Sequence, residues 1–201
     1  MIKHRITGAS AFALFLAVSM AAGQTPEVVR VRGTIENVEG STLSVKDRSG
    51  VPLTIKVADN APVNAVVKAA YSDIKANSYI AVTAVPQPDG SQRAVAILIF
   101  PEALRGIAEG HRPWDLSPNS TMTNGTVDTV TSVEGQTLLL KYKGGEQKVV
   151  VPADAEIVTF ARAGVADLKP GAKIFIVAAK KLPDGTLEAP NVAFGDYGVW
   201  R

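Results

Sequence analysis

From Glu27 onward apolar and polar residues alternate: Val29, Val31 and Ile35 are interleaved with Arg30, Arg32, Thr34 and Glu36. Alternate side chains of an extended chain share one face, so this segment predicts a strand buried on one side. Leu43 and Val45, then Leu53, Ile55 and Val57, repeat the pattern on either side of Arg48-Ser49-Gly50, and predict a hairpin. Denser apolar runs over 79–85 and 94–100 flank Pro88-Asp89-Gly90. Proline there fixes one torsion and glycine permits a positive one, which predicts a second hairpin, more fully buried than the first. The later half repeats the scheme with Leu138, Leu140 and Tyr142, the Gly144-Gly145 turn, the run 149–151, and the run 174–178 before Pro183-Asp184-Gly185. Asp167-Leu168-Lys169-Pro170-Gly171 predicts a helical turn and a bend. Its counterpart over 73–77 has Asn77 where the second copy has Gly171, the usual substitute at a left-handed position.

The two halves match as an internal repeat at a spacing of somewhat over ninety residues. Gly33-Thr34-Ile35 answers Gly125-Thr126-Val127, and Val38-Glu39-Gly40 with Thr42-Leu43 answers Val133-Glu134-Gly135 with Thr137-Leu138. Asp73-Ile74-Lys75 answers Asp167-Leu168-Lys169, and the two Pro-Asp-Gly turns answer each other. These anchors define modules over 27–100 and 122–194, an inter-module loop over 101–121 and a tail over 195–201. Short strands, close turns and one helical turn between hairpins predict a mainly β fold of two tandem, small, OB-like Greek-key β-barrels, the oligonucleotide/oligosaccharide-binding type. A pair of open sandwiches is the alternative. A membrane-spanning barrel needs strands of about nine to eleven residues, longer than the alternation predicts.

The motifs Val-Glu-Gly-x-Thr-Leu, Asp-Leu-Lys-Pro-Gly and Pro-Asp-Gly-Thr-Leu, with a glycine in the first strand, resemble an uncharacterised family of secreted bacterial tandem OB-like β-barrel domains, a domain of unknown function. The resemblance extends over nearly all of the chain after its N-terminal segment and includes Glu109-Gly110-His111-Arg112-Pro113-Trp114-Asp115. It implies a fold and export, and no activity. Some relatives carry automatic labels as metal-transport permeases, which the lack of a later membrane-spanning run contradicts.

Lys3, His4 and Arg5, an apolar run over 11–20 and the small residues Ala21, Ala22 and Gly23 predict a signal peptide over 1–23, hence a periplasmic or secreted protein with no transmembrane segment after cleavage. Residues 1–23 hold two of the 21 basic residues and none of the 19 acidic ones, so 19 of each remain. A balanced, interspersed charge argues against nucleic acid as a partner. With no cysteine, disulfides, thiolate chemistry and lipoprotein anchoring are unavailable, and the fold depends on its apolar core.

Candidate chemistry concentrates in 101–121, which departs from alternation and holds His111, the sole histidine after residue 23. As a recognition loop, Trp114 supplies contact area and Arg112 a planar donor for carboxylate or phosphate, with His111 and Asp115 completing a partner-binding set. As a structural linker, Trp114 fills the groove between barrels, Arg112 pairs with Asp115, and Gly106 and Gly110 turn the chain. One imidazole among scattered carboxylates lacks the spacing of a metal site, and neither a hydrolytic triad nor a phosphate loop is present, so catalytic residues, metal and cofactors are expected to be none. The leading expectation is a non-catalytic envelope binding or interaction module for a protein or polymer. An accessory small-ligand or metal-binding factor in periplasmic uptake, and a polysaccharide-binding or polysaccharide-cleaving protein, are the alternatives.

Overall fold

The structure, a computed structural model, describes residues 27–131 and 136–196. The expected signal peptide, the Val133-Glu134-Gly135 anchor, and Tyr197 and Trp200 of the tail lie outside the described residues. The chain is mainly β. Its first half forms β1 (Val28–Glu39), β2 (Thr42–Asp47), β3 (Pro52–Val57), β4 (Val63–Lys68), β5 (Tyr79–Pro86) and β6 (Gln92–Ile99). The loop between halves contributes β7 (Gly110–Pro113). The second half forms β8 (Thr121–Thr131), β9 (Thr137–Tyr142), β10 (Gly145–Val150), β11 (Glu156–Ala163), β12 (Lys173–Lys181), β13 (Leu187–Ala189) and β14 (Val192–Phe194). Short 3-10 turns over Tyr71–Asp73 and Val165–Asp167 precede β5 and β12. The matched aspartates explain these turns: Asp73 Oδ2 accepts the Ala70 N–H and Asp167 Oδ2 the Gly164 N–H, both at 2.8 Å. Asn77 and Gly171 both carry positive φ, 69° and 88°, as their matched positions predict.

The strands close two rings, and each ring takes strands from both halves. Ring 1 runs β1, β2, β3, β13, β12 and back to β1, with β3 and β13 parallel. Ring 2 runs β8, β9, β10, β6, β5 and back to β8, with β10 and β6 parallel. Neither ring is closed within 27–100 or within 122–194. β1, β2 and β3 of the first module meet β12 and β13 of the second, and β8, β9 and β10 of the second meet β5 and β6 of the first, so the halves are exchanged where side-by-side barrels were expected. At the seam β4 pairs antiparallel with its own counterpart β11, Val66 facing Phe160, and β14 and β6 flank them. All of it is one hydrogen-bonded sheet.

Alternation sets which face is buried and is silent on which strand lies alongside, so an exchanged and an unexchanged ring satisfy it equally. β4 and β11 carry the exchange, because each continues as an extended strand across the seam and delivers the following 3-10 turn to the opposite ring. Ile74, after the first turn, is buried in the core of ring 2 with Ile80, Val127 and Leu138, and Leu168, after the second, in the core of ring 1 with Ile35, Leu43 and Ile176. Burying each such aliphatic side chain stabilises the fold by roughly 1.5–3 kcal/mol. A third layer, with Val66, Ala81, Leu98, Val158, Phe175 and Phe160, fills the space between the rings. It explains the dense apolar run of β5, whose Ile80 and Val82 face one ring while Ala81 faces the layer between.

β1 and β8 run to 12 and 11 residues, longer than the alternation predicts, because each serves two neighbours in succession. The first part of β1 pairs with β12 and the later part with β2; β8 divides likewise between β5 and β9. Gly33 and Gly125 sit where each strand passes from one neighbour to the next. A Cβ on Gly33 would lie 2.5 Å from the Lys46 carbonyl oxygen, and one on Gly125 would meet that of Lys141. Buried aliphatic side chains, among them Ile35, Leu43, Ile55 and Ile176 in ring 1 and Ile80, Ile97, Leu138 and Leu140 in ring 2, form the two ring cores.

Candidate functional site

After β6 the chain crosses the outside of ring 2. Gly106 and Gly110, at φ 84° and 130°, turn it as expected. The Tyr79 hydroxyl and the Asn124 side-chain amide both donate to the Ile107 carbonyl, at 3.0 and 3.1 Å, and Arg105 donates to the Asn77 carbonyl at 2.8 Å while pairing with Glu102. β7 then lies antiparallel on the first four residues of β8, His111 opposite Thr123 and Arg112 opposite Met122. A tight turn returns the chain: the Trp114 N–H donates to the Ser120 carbonyl at 2.8 Å, and the buried Ser120 hydroxyl donates to the Ser117 carbonyl at 2.8 Å.

That turn holds Trp114 and Asp115 against β1 of ring 1. The Asp115 carboxylate receives Arg32 through both oxygens, at 2.8 and 2.9 Å, and Arg30 at 2.9 Å. Three guanidinium groups surround the indole: Arg30 at 4.0 Å from the Trp114 ring centre, Arg32 and Arg112 each at 5.7 Å. The Arg32 side chain is only 6% exposed and also covers the ring of Phe175, its cross-strand partner, at 5.0 Å. Arg30 and Asp115 reach solvent, at 33% and 45% exposure. The hydrogen bonds from Arg32, then those from Arg30, hold the Asp115 carboxyl well below the usual carboxylate range. Burial, with the charge of Arg30 behind it, lowers the Arg112 guanidinium, which remains charged. Among the described residues, the buried Arg32 Nε, Trp114 Nε1 and Ser117 Oγ find no hydrogen-bond partner.

Of the expected set, the structure brings Arg112, Trp114 and Asp115 together and turns His111 away. His111 Nδ1 lies 2.7 Å from the hydroxyl of buried Thr123, and its ring stacks on Tyr142. Burial, then the charge of Arg112, lowers its pKa. Trp114 packs against the layer between the rings, as the linker reading anticipates. The expected Arg112–Asp115 pair does not form. Arg112 lies on β7 and donates to the Ala108 carbonyl at 2.9 Å, with Asn124 Oδ1 at 3.4 Å, while Pro113 and Trp114 carry Asp115 across to ring 1.

Arg30 and Arg32 were not among the residues the sequence singled out. Their signal lies in the repeat. Aligned on Gly33 and Gly125, these two outward-facing positions correspond to Met122 and Asn124, so the first copy carries two charges where the second carries none. Among the described residues, no group of three or more His, Asp and Glu side chains is placed to hold a metal ion. Comparison of the chain with protein-family models, with curated proteins and with solved structures found no match.

Proposed function

We propose that this chain is an exported, non-catalytic binding protein of the cell envelope that takes an acidic group of a partner protein or polymer at the Trp114 cluster. The observation that carries this reading is three guanidinium groups gathered round one indole with a single carboxylate, Asp115, shared between two of them. Guanidinium presents a planar fork of donors that matches carboxylate and phosphate oxygens, and arginine with an aromatic side chain is the usual composition of a binding centre. Export is supported by the pattern of residues 1–23. The non-catalytic reading is supported by His111, which is engaged by Thr123 and Tyr142 and has no carboxylate paired with it among the described residues.

We propose, too, that each ring is an OB-like barrel. Support comes from the five-stranded Greek-key order, the parallel third and fifth strands, and the 3-10 turn that plugs the ring between its third and fourth strands. Such barrels host many unrelated functions, so the fold names no ligand.

The test is fluorescence anisotropy with a labelled oligoglutamate peptide and its oligoglutamine counterpart. Saturable binding of the glutamate peptide alone, weakening as salt rises, is expected. Arg112→Ala should weaken it about tenfold, the value of one charge-assisted hydrogen bond. Equal binding of both peptides, or an unchanged affinity in the variant, would sink the reading.

A further inference from the structure

The two rings share one design, which makes any unmatched feature informative. In ring 2 the first residues of β8 have a strand on each side: β5 pairs with Thr121–Asn124 along one edge and β7 along the other. By the Gly33/Gly125 alignment, the matching stretch of ring 1 is 29–32. It pairs with β12 along one edge, while β2 joins β1 only from Gly33. Along its other edge no strand lies among the described residues. The Arg32 carbonyl accepts the Arg48 N–H at 3.1 Å, which marks this as the side toward which Arg32, and by strand alternation Arg30 and Val28, direct their backbone groups. Val28 is 62% exposed.

We infer that this edge of β1 binds an extended, acidic peptide segment of a partner by strand addition, as the chain's own β7 occupies the same edge of ring 2. An unpaired edge is a template for a further strand, and main-chain hydrogen bonds supply the affinity in such recognition. The register follows from β7: the incoming strand runs antiparallel to β1, one residue standing opposite Arg30 as Arg112 stands opposite Met122. Acidic side chains fit because Arg30 and Arg112 flank the edge and Asp115 is the one carboxylate set against three arginines. The acidic character of the partner rests on the function proposed above, whereas the open edge is independent of it.

The experiment uses the chain after residue 23 and three labelled peptides: one alternating Glu with Thr and Val, one with Gln replacing Glu, and one keeping every Glu but with Pro at the central hydrogen-bonding position. Anisotropy gives affinity, and residue-resolved hydrogen exchange follows the Arg30 amide. The Glu peptide is expected to bind and to slow exchange at Arg30. The Pro peptide, deprived of main-chain hydrogen bonds at equal charge, should bind about tenfold more weakly and leave Arg30 unprotected. Equal binding of the Glu and Pro peptides without protection at Arg30 overturns strand addition and leaves the acidic-group reading intact. Equal binding of the Glu and Gln peptides with Arg30 protected upholds the edge and removes the acidic preference. A dimer in which Arg30 is already protected before any peptide is added assigns the edge to a second copy and overturns the inference.

Discussion

Ring 2 has the outward side of β8 covered by β7, and its residues there are absorbed into the fold: Met122 packs in the layer between rings, and the buried Asn124 donates to the Ile107 carbonyl. Ring 1 has no strand in that place among the described residues, and its matching positions are Arg30 and Arg32, tied through Asp115 to a loop that belongs to the other ring. The cores differ little, both being filled by Ile, Leu and Val with one plug residue after the 3-10 turn. A duplicated fold keeps its interior alike because both copies must exclude water in the same way, while its edges are free to diverge. The place where the copies disagree in charge is therefore a sharper pointer to a site than the oddity of a loop.

The largest effect expected concerns how the rings are shared. A chain of residues 27–100 alone holds β1, β2 and β3 of one ring and β5 and β6 of the other, so it cannot close either ring as the full chain does. It is expected to run as a dimer in light scattering, each copy lending β5 and β6 to its partner, because exchange of identical elements is a low-cost route to association. A stable monomer with undiminished β signal would show that each half closes on itself, and the comparison of two mutually dependent rings would fall.

The sequence made the elements legible and left their partners hidden. The alternation at Val29, Val31 and Ile35, the glycine of each Asp-Arg-Ser-Gly or Pro-Asp-Gly turn, and the left-handed Asn77 all appear where local chemistry places them, at β1, at Gly50 and Gly90, and at φ 69°. These are short-range signals. Exchange between halves is a long-range choice between two pairings that bury identical faces, and no residue records it. The site was half legible for the same reason. Trp114 and Arg112 stand out in any reading of 101–121, but Asp115 reaches across 83 residues to Arg32, and an exposed-looking arginine in an alternating strand announces no partner.

Gly33 and Gly125 offer a test of how alike the rings are. A methyl group at Gly33 would be forced to 2.5 Å from the Lys46 carbonyl oxygen and 2.7 Å from Val45 Cγ1; at Gly125 it would meet the Lys141 carbonyl and lie 3.3 Å from Leu140 Cγ. Neither backbone oxygen can retreat without opening the hairpin it belongs to. Gly33→Ala and Gly125→Ala should each lower stability by about 1–3 kcal/mol, read from urea midpoints at constant slope. Closely similar losses sharpen the equivalence of the rings. A loss confined to one glycine would mean that the two first strands are held by different contacts.

The smallest effect belongs to the feature that distinguishes ring 1. Asp115 answers two arginines, one of them nearly buried, and in the folded chain its carboxyl titrates below its unfolded value of about 3.9. The folded state thus favours the charged form. The stability this contributes is complete above the unfolded value and disappears as pH falls through the depressed folded one. Because Asp115 is 45% exposed, water screens the pair, and Asp115→Asn is expected to cost about 0.5–1.5 kcal/mol at pH 7, well below the loss from breaking a fully buried pair. The difference between wild type and variant in urea melts should hold from pH 7 to 5 and shrink steadily below about 4. Asn124→Ala, at the uncharged counterpart of Arg32, should cost the same at every pH in that range, since its partners, the Ile107 carbonyl and the Arg112 guanidinium, do not titrate there. If the Asp115→Asn difference persisted undiminished toward pH 2, the carboxylate would not be acting as the charged partner of Arg30 and Arg32, and the contrast between the two edges would rest on packing alone.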